Sequence, residues 1–161
     1  MMERKGVLLL LFVLLLGIGW YASQPCLVVS SEGKVLTAVK AEKGLAFSTR
    51  FIHSVQKTPV EEYFTVNDKT DGFVLHSTKY QSFGVGLPFL TTDGSFRREA
   101  DWFIMEGMER QLPDLTLRPG IGTELTLHVA NDEFPLYKMV PLGTPVTLRI
   151  VPRYKIWFGL E

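Results

Sequence analysis

The pattern of hydrophobic positions changes near residue 26. Residues 6–22 carry no charged side chain, and residues 7–20 are apolar apart from two glycines. A secretory signal needs an apolar stretch of about 7–15 residues, and a helix that spans a bilayer needs about 20. From residue 26 onward the apolar residues occur in short runs separated by Gly, Pro, Asn and Asp. We therefore expect a signal peptide or membrane anchor helix at residues 1–25 and one extracytoplasmic β-domain at residues 26–161.

Short β-prone runs predict the elements of this domain. Turn residues separate the runs at intervals of about 8–12 residues, a spacing typical of a β-sandwich or barrel. We therefore predict the all-β class, with a single antiparallel β-sandwich or partly open barrel after one N-terminal hydrophobic helix. The predicted strands are 27–29, 34–39, 45–55, 60–66, 73–83, 102–106, 115–117, 124–129, 136–140 and 145–151.

One stretch, residues 97–112, fits two descriptions. Four of its apolar residues recur at the three- and four-residue spacing of a helix: Trp102, Met105, Met108 and Leu112. Gly107 in the middle and Pro113 at the end oppose a helix, because both residues are poor helix formers. A short helix and a strand with a loop both remain open for this stretch.

The flanks of the apolar N-terminal run indicate its orientation. Arg4 and Lys5 precede the run, and positively charged flanks tend to stay in the cytoplasm. Trp20 and Tyr21 end it, as aromatic residues do at a membrane–water boundary. An uncleaved anchor, a cleaved signal and a buried core helix are the three alternatives. We expect the membrane to be a partner through residues 6–22, with the domain on the extracytoplasmic side.

Charge and residue content argue against several other partners. Lys+Arg and Asp+Glu both number 17, and no basic run follows residue 5, so we expect no nucleic-acid binding. Cys26 is the only cysteine, which excludes an intramolecular disulfide and a multi-thiolate metal site. His53, His76 and His128 lack close metal-ligand spacing, so we predict no metal and no cofactor.

Strand parity singles out two polar residues on apolar faces. Alternate residues of a strand share a face, and His53 and Glu62 fall among the apolar side chains of the third and fourth predicted strands. A two- or four-residue loop places Val55 opposite Val60 and therefore His53 opposite Glu62, close enough for their side chains to meet. Three roles are open for such a pair: a buried polar pair that fixes the register of the hairpin, a ligand or partner site, or a catalytic pair.

A second unusual segment, residues 82–88, reads Ser-Phe-Gly-Val-Gly-Leu-Pro. Two glycines at this spacing favour a bulge or a backbone that approaches a ligand closely. It lacks the Gly-Lys-Ser/Thr of a phosphate loop. The candidate ligand-binding residues from both segments are His53, Ser54, Thr58, Glu61, Glu62, Ser82, Gly84 and Gly86.

No catalytic arrangement is visible in these segments. Ser54 follows His53 directly, and adjacent strand residues point to opposite faces, so the two side chains do not form a nucleophile–base pair. We therefore expect the protein not to be an enzyme and name no catalytic residue.

The two segments together resemble the domain-of-unknown-function family DUF1850. The resemblance rests on His-Ser-Val at 53–55, Thr-Pro-Val-Glu at 58–61 and the segment 82–88, and the stretch 98–117 is similar as well. Alanine is usual in the family where Val85 stands. Genes of this family often lie beside TRAP-type transporters of the TAXI class, which import organic anions with an extracytoplasmic solute-binding protein.

The resemblance implies a bacterial protein at an inner or single membrane. The first functional hypothesis is an accessory or binding module for a TRAP-type transporter, which contacts the permease, the solute-binding protein or the solute. The second is a structural envelope β-domain without a small ligand. The third, with the least support from the residues, is a hydrolase or metal enzyme.

Overall fold

We describe the fold from a computed structural model, which describes residues 2–82 and 94–159. The candidate residues Gly84 and Gly86 lie outside the described residues. The helices are α1 (Met2–Ser23), α2 (Leu136–Met139) and α3 (Arg153–Phe158). The strands are β1 (Pro25–Ser31), β2 (Lys34–Lys40), β3 (Ala46–Ile52), β4 (Pro59–Val66), β5 (Phe73–Tyr80), β6 (Ser95–Glu99), β7 (Trp102–Leu112), β8 (Leu115–Leu117), β9 (Thr126–Val129), β10 (Asp132–Phe134) and β11 (Val146–Pro152).

The strands form two antiparallel sheets that pack face to face. One sheet has the order β2-β1-β11-β8, and the other has the order β10-β9-β3-β4-β5-β7-β6. Apolar side chains from the inner faces of both sheets form one core, which includes Leu27, Val29, Phe47, Phe64, Phe73, Leu127 and Leu148. The all-β prediction is confirmed, and the architecture is a sandwich, not a closed barrel.

Alternation along the strands explains how this core is built. In β4, Val60, Phe64 and Val66 are buried, and the residues between them are more exposed. Phe47 stacks on Phe64 with ring centroids 4.9 Å apart and meets the edge of Phe73 at 5.0 Å. Offset-stacked and edge-to-face aromatic pairs add about 0.5–1.5 kcal/mol to the stabilisation from burial.

The ambiguous stretch 97–112 is a pair of antiparallel strands, β6 and β7. The β5–β7 register shifts between Leu75 and Ser77, and Gly107 adopts the left-handed φ of 73°. This β-bulge resets the alternation, so Met105 and Met108 both face the core although they are three residues apart. The bulge therefore produces the helix-like spacing seen in the sequence.

One predicted strand is wrong. Residues 136–140 contain a single helical turn, α2, in which Lys138 N donates to Pro135 O at 2.8 Å and Val140 N to Leu136 O at 3.3 Å. Leu136 is fully buried in the core. A short apolar run of this length does not distinguish a strand from a buried helical turn.

The N-terminal helix stands apart from the core. Arg4–Ser23 is long and apolar enough to cross a membrane, with a mean hydropathy of 2.2, and none of this stretch is buried. This excludes the buried core helix and leaves the signal peptide and the membrane anchor. A single residue, Gln24, separates α1 from β1. Cys26 just beyond is buried, in keeping with a thiol that serves packing.

Short connections define two ends of the sandwich. β1 begins beside α1, and Cys26 pairs with Lys40 at the end of β2. Five residues, 41–45, connect β2 to β3, which begins at Ala46, so the start of β3 lies near this junction end. β3 has seven residues, and strands rise about 3.3 Å per residue. The β3–β4 loop, residues 53–58, therefore lies at the opposite, distal end, roughly 23 Å along the sheet.

Candidate functional site

The β3–β4 hairpin exists, but its register differs from the prediction. Phe51 pairs with Val60, and Thr49 pairs with Glu62. The predicted pairing of His53 with Glu62 is therefore wrong, because a six-residue loop replaces the expected two or four residues. The register moves by four positions, an even number, so the residues keep the faces that parity assigned to them.

His53 lies in the loop and holds the loop together. Its Nδ1 accepts hydrogen bonds from Val55 N at 3.3 Å and Gln56 N at 3.2 Å. Its backbone N donates to Thr58 O at 2.8 Å, and its O accepts from Lys57 N at 2.9 Å. Lys57 has a φ of 56°, in the left-handed region. The imidazole therefore caps backbone amides of its own turn and does not reach across the hairpin as predicted.

Glu62 lies on the inner face of the seven-stranded sheet, as parity predicted. It sits between Thr49 on β3 and Thr78 on β5, both of which have no exposed surface. Thr49 Oγ1 donates a hydrogen bond to Glu62 Oε2 at 3.1 Å. Burial raises the pKa of the Glu62 carboxyl, and the bond from Thr49 and the charge of Arg110 oppose this effect. The result is a half-buried carboxyl in an apolar interior.

Glu61 points to the outer face and belongs to a different cluster. Tyr63 Oη donates to Glu61 Oε2 at 2.6 Å, and Arg50 Nε lies 3.8 Å from Glu61 Oε1. Lys79 Nζ lies 5.0 Å from the centroid of the Tyr63 ring. Burial, followed by the bond to Glu61, raises the pKa of Tyr63 to about 12. The sheet therefore separates Glu61 from Glu62, and the two do not share a site.

Ser82, the one described residue of the segment 82–88, meets the hairpin loop. Ser82 Oγ donates to Gln56 Oε1 at 3.2 Å, which joins the residue beyond β5 to the hairpin loop. Ser54 is exposed in the same loop. Thr58 Oγ1 is buried and has no hydrogen-bond partner among the described residues. The structure therefore brings four candidate residues together at the distal end: His53, Ser54, Thr58 and Ser82. Glu62 lies farther along the chain, in β4.

Sequence reasoning missed a groove on the outer face of the same sheet. Its volume is about 360 Å³, and Tyr63, Thr65, His76 and His128 line it. Thr65 Oγ1 lies 2.7 Å from His76 Nε2, and His76 Nδ1 lies 3.8 Å from Glu109 Oε1. Strict alternation places His76 on the inner face with Thr78; the bulge at Leu75–Ser77 turns it outward. β5 itself carries no sequence signal of this bulge, and Gly107 on the partner strand β7 lies opposite it.

The described residues do not assemble a metal centre. Among residues 2–82 and 94–159, no three His, Cys, Asp or Glu side chains are grouped closely enough to hold a metal ion. What the site offers is a half-buried carboxyl, buried threonine hydroxyls and a loop of exposed backbone. These groups are suited to recognition by hydrogen bonding at the edge of an apolar interior.

Comparison with known proteins gives a family and nothing more specific. No curated protein and no solved structure matches this chain. The model of the family described as "Domain of unknown function (DUF1850)" matches residues 47–136, which run from β3 to the first residue of α2 and contain both segments described above. Since this match spans more than half of the 161 residues, the chain belongs to the DUF1850 family.

Proposed function

We propose that this protein is a membrane-anchored binding module, without catalytic activity, whose sandwich stands on the extracytoplasmic side of a bacterial membrane. The observation that carries the proposal is the apolar helix α1, whose membrane-length stretch is not buried in the domain and which a single residue, Gln24, connects to β1. An apolar surface of this length is stable inside a bilayer and costly in water. The sandwich therefore sits at the membrane, with the β3–β4 loop turned away from it.

Contacts at the junction favour an anchor that is retained over a signal that is removed. Arg153 N donates to Gln24 O at 2.9 Å, and the Arg153 guanidinium lies 4.1 Å from the centroid of the Tyr21 ring. Trp157 contacts the same ring at 6.1 Å. The last turn of α1 is thus packed against the domain, and cleavage would remove these contacts.

The sidedness of the domain has a direct test. Arg4 and Lys5 precede the apolar run, so the positive-inside tendency places the sandwich outside the cytoplasm. The native Cys26 is buried, which keeps the labelling background low. Lys57→Cys in the exposed loop should react with a membrane-impermeant maleimide in spheroplasts. Lys5→Cys should react only after lysis, and the reverse pattern would contradict the proposed orientation.

The arrangement of the loop supports binding over catalysis. The basic atom His53 Nδ1 already accepts two backbone hydrogen bonds, so it is engaged in the loop's own structure. Val55 at the tip is 74% exposed, so its apolar side chain is available to a partner, and binding residues are commonly found on loops held by a rigid scaffold. We therefore propose the distal loop as the contact surface.

For the partner we propose the permease or the solute-binding protein of a TRAP-type transporter of the TAXI class, which the gene neighbourhood of the family suggests. A photo-crosslinking amino acid at Val55 should capture this partner from membranes. The matched control is the same amino acid at Val35, an exposed valine on β2, which should capture nothing. Equal capture at both positions, or none at either, would contradict the proposal.

A structural envelope domain without a ligand is the second candidate. The Thr49–Glu62 hydrogen bond favours it, because a satisfied polar pair in an interior fixes strand register without any ligand. This candidate predicts no specific crosslink from Val55, so the same experiment separates the two.

A further inference from the structure

We infer that α3 is a second membrane contact, which lies in the headgroup region of the bilayer that α1 spans. The inference rests on the proposed membrane anchor and adds an interfacial surface to it. That surface, the α3 aromatic face, consists of Tyr154, Trp157 and Phe158. These residues are 39%, 53% and 70% exposed, and their spacing of three and one places them on one side of a helix.

The opposite side of α3 is already occupied. Ile156 packs against Cys26, Val28 and Val151, a small apolar cluster that lies on the outer face of the four-stranded sheet because Leu27 and Val29 point into the main core. α3 is thus fixed to the sandwich by one side. The α3 aromatic face points away from this cluster, and the described part of the sandwich leaves it exposed.

The position of α3 identifies what covers that face. Trp157 contacts Tyr21 in the last turn of α1, with ring centroids 6.1 Å apart. Trp20 beside it is 68% exposed. The α3 aromatic face is therefore continuous with the end of the apolar helix, at the level where that helix leaves the bilayer. A soluble partner would have to insert between α3 and the membrane to reach it.

The chemistry of α3 matches this level of the bilayer. Tryptophan and tyrosine favour the membrane–water interface because each combines an apolar ring with a polar group. Lys155 lies beside the aromatic residues, and its charged end can reach lipid phosphates while its aliphatic stem remains in apolar surroundings. Short helices with aromatic and basic residues commonly lie in the interface plane.

The three tryptophans of the chain provide the test. Trp20 marks the end of α1, Trp157 marks α3, and Trp102 begins β7 near the distal end. Three full-length variants each keep one tryptophan and replace the other two by phenylalanine. They are reconstituted in phosphatidylcholine–phosphatidylglycerol vesicles with brominated acyl chains, which quench nearby tryptophan fluorescence. Circular dichroism confirms that each variant is folded, and Phe158→Trp in a background without other tryptophans provides a second probe of the same face.

The expected result is strong quenching of Trp20 and Trp157 and little quenching of Trp102. If Trp20 is quenched and both Trp157 and the probe at position 158 behave like Trp102, the interfacial role of α3 is wrong although the anchor stands. If Trp20 is not quenched, the membrane anchor is wrong and the inference about α3 fails with it.

Discussion

Thr49 and Glu62 face each other on neighbouring antiparallel strands, and the threonine hydroxyl donates a 3.1 Å hydrogen bond to the carboxylate. Thr78 occupies the equivalent place on the other side of Glu62, and among the described residues its hydroxyl makes a weak contact, at 4.0 Å, with Met108 Sδ. Two buried threonine hydroxyls thus lie on either side of the half-buried Glu62 carboxyl, and the one from Thr49 binds it. Thr49 and Thr78 are therefore a matched pair of positions for mutation.

Replacing these threonines by valine should have unequal effects. A hydrogen bond to a charged group contributes about 1.5–3 kcal/mol, so Thr49→Val should lower the free energy of unfolding by an amount in this range. Thr78→Val should cost less than about 1 kcal/mol, since the bond it removes is weak. Urea unfolding measures both. Equal losses would show that the Thr49 bond to Glu62 contributes little.

Glu62→Gln should change how stability depends on pH. Burial raises the pKa of the Glu62 carboxyl above its value in the unfolded chain. The proton on this carboxyl therefore adds to the free energy of unfolding, and this contribution is fully present at pH values below the unfolded pKa. It is lost as the pH rises through the folded pKa, at about 1.4 kcal/mol per unit of pKa difference. Thermal unfolding at several pH values should show that the stability of the variant increases relative to that of the wild type as the pH rises above the pKa of an unfolded glutamate. A constant difference would contradict the raised pKa.

His53 should matter for the loop and not for Glu62. His53→Ala removes the acceptor of two backbone hydrogen bonds in a loop open to water, and we expect a loss of about 1 kcal/mol. His53→Asn keeps a side-chain oxygen that can accept from the same amides, and it should retain most of the stability. Chemical denaturation compares the two. If the asparagine variant loses as much as the alanine variant, the capping role is wrong.

Gly107 in β7 should not accept a side chain without a loss of stability. Its φ of 73° is strained for residues with a Cβ atom, and a left-handed conformation costs about 1–2 kcal/mol for an L-residue. A Cβ at this position would meet no other atom within 4 Å, so the cost is one of backbone strain. Gly107→Ala should therefore destabilise the protein, and Gly107→Asn should do so less, because asparagine tolerates this region better. An unchanged melting temperature for the alanine variant would contradict this account of the bulge.

The hairpin shows how far sequence reasoning reaches in this protein. Period-two alternation placed Glu62 on the inner face, and the structure confirms it, since the side of a strand depends only on parity. Its partner depends on the number of residues in the loop. His53 takes part in that loop through its own ring, a contact that no alternation pattern contains. The face was therefore predictable, and the pairing was not.

The same reason explains the bulge between β5 and β7. A bulge keeps the alternation on either side of it, but the phase between the two sides is lost. This turned His76 outward into the groove and gave Met105 and Met108 their helix-like spacing. Local patterns identify the strands on each side of a bulge, but the phase change depends on the partner strand.

The single residue between α1 and β1 has a mechanical consequence. A long flexible linker lets a tethered domain search a volume and tilt freely, and its effective concentration near a partner falls as the linker lengthens. A one-residue link, with Arg153 bonded to Gln24, permits almost no such search. In the membrane-anchored state that we propose, the sandwich would diffuse with its anchor in two dimensions, with its loop roughly a strand's length, about 23 Å, beyond the junction. A partner would then be selected first by whether it presents a surface at that height.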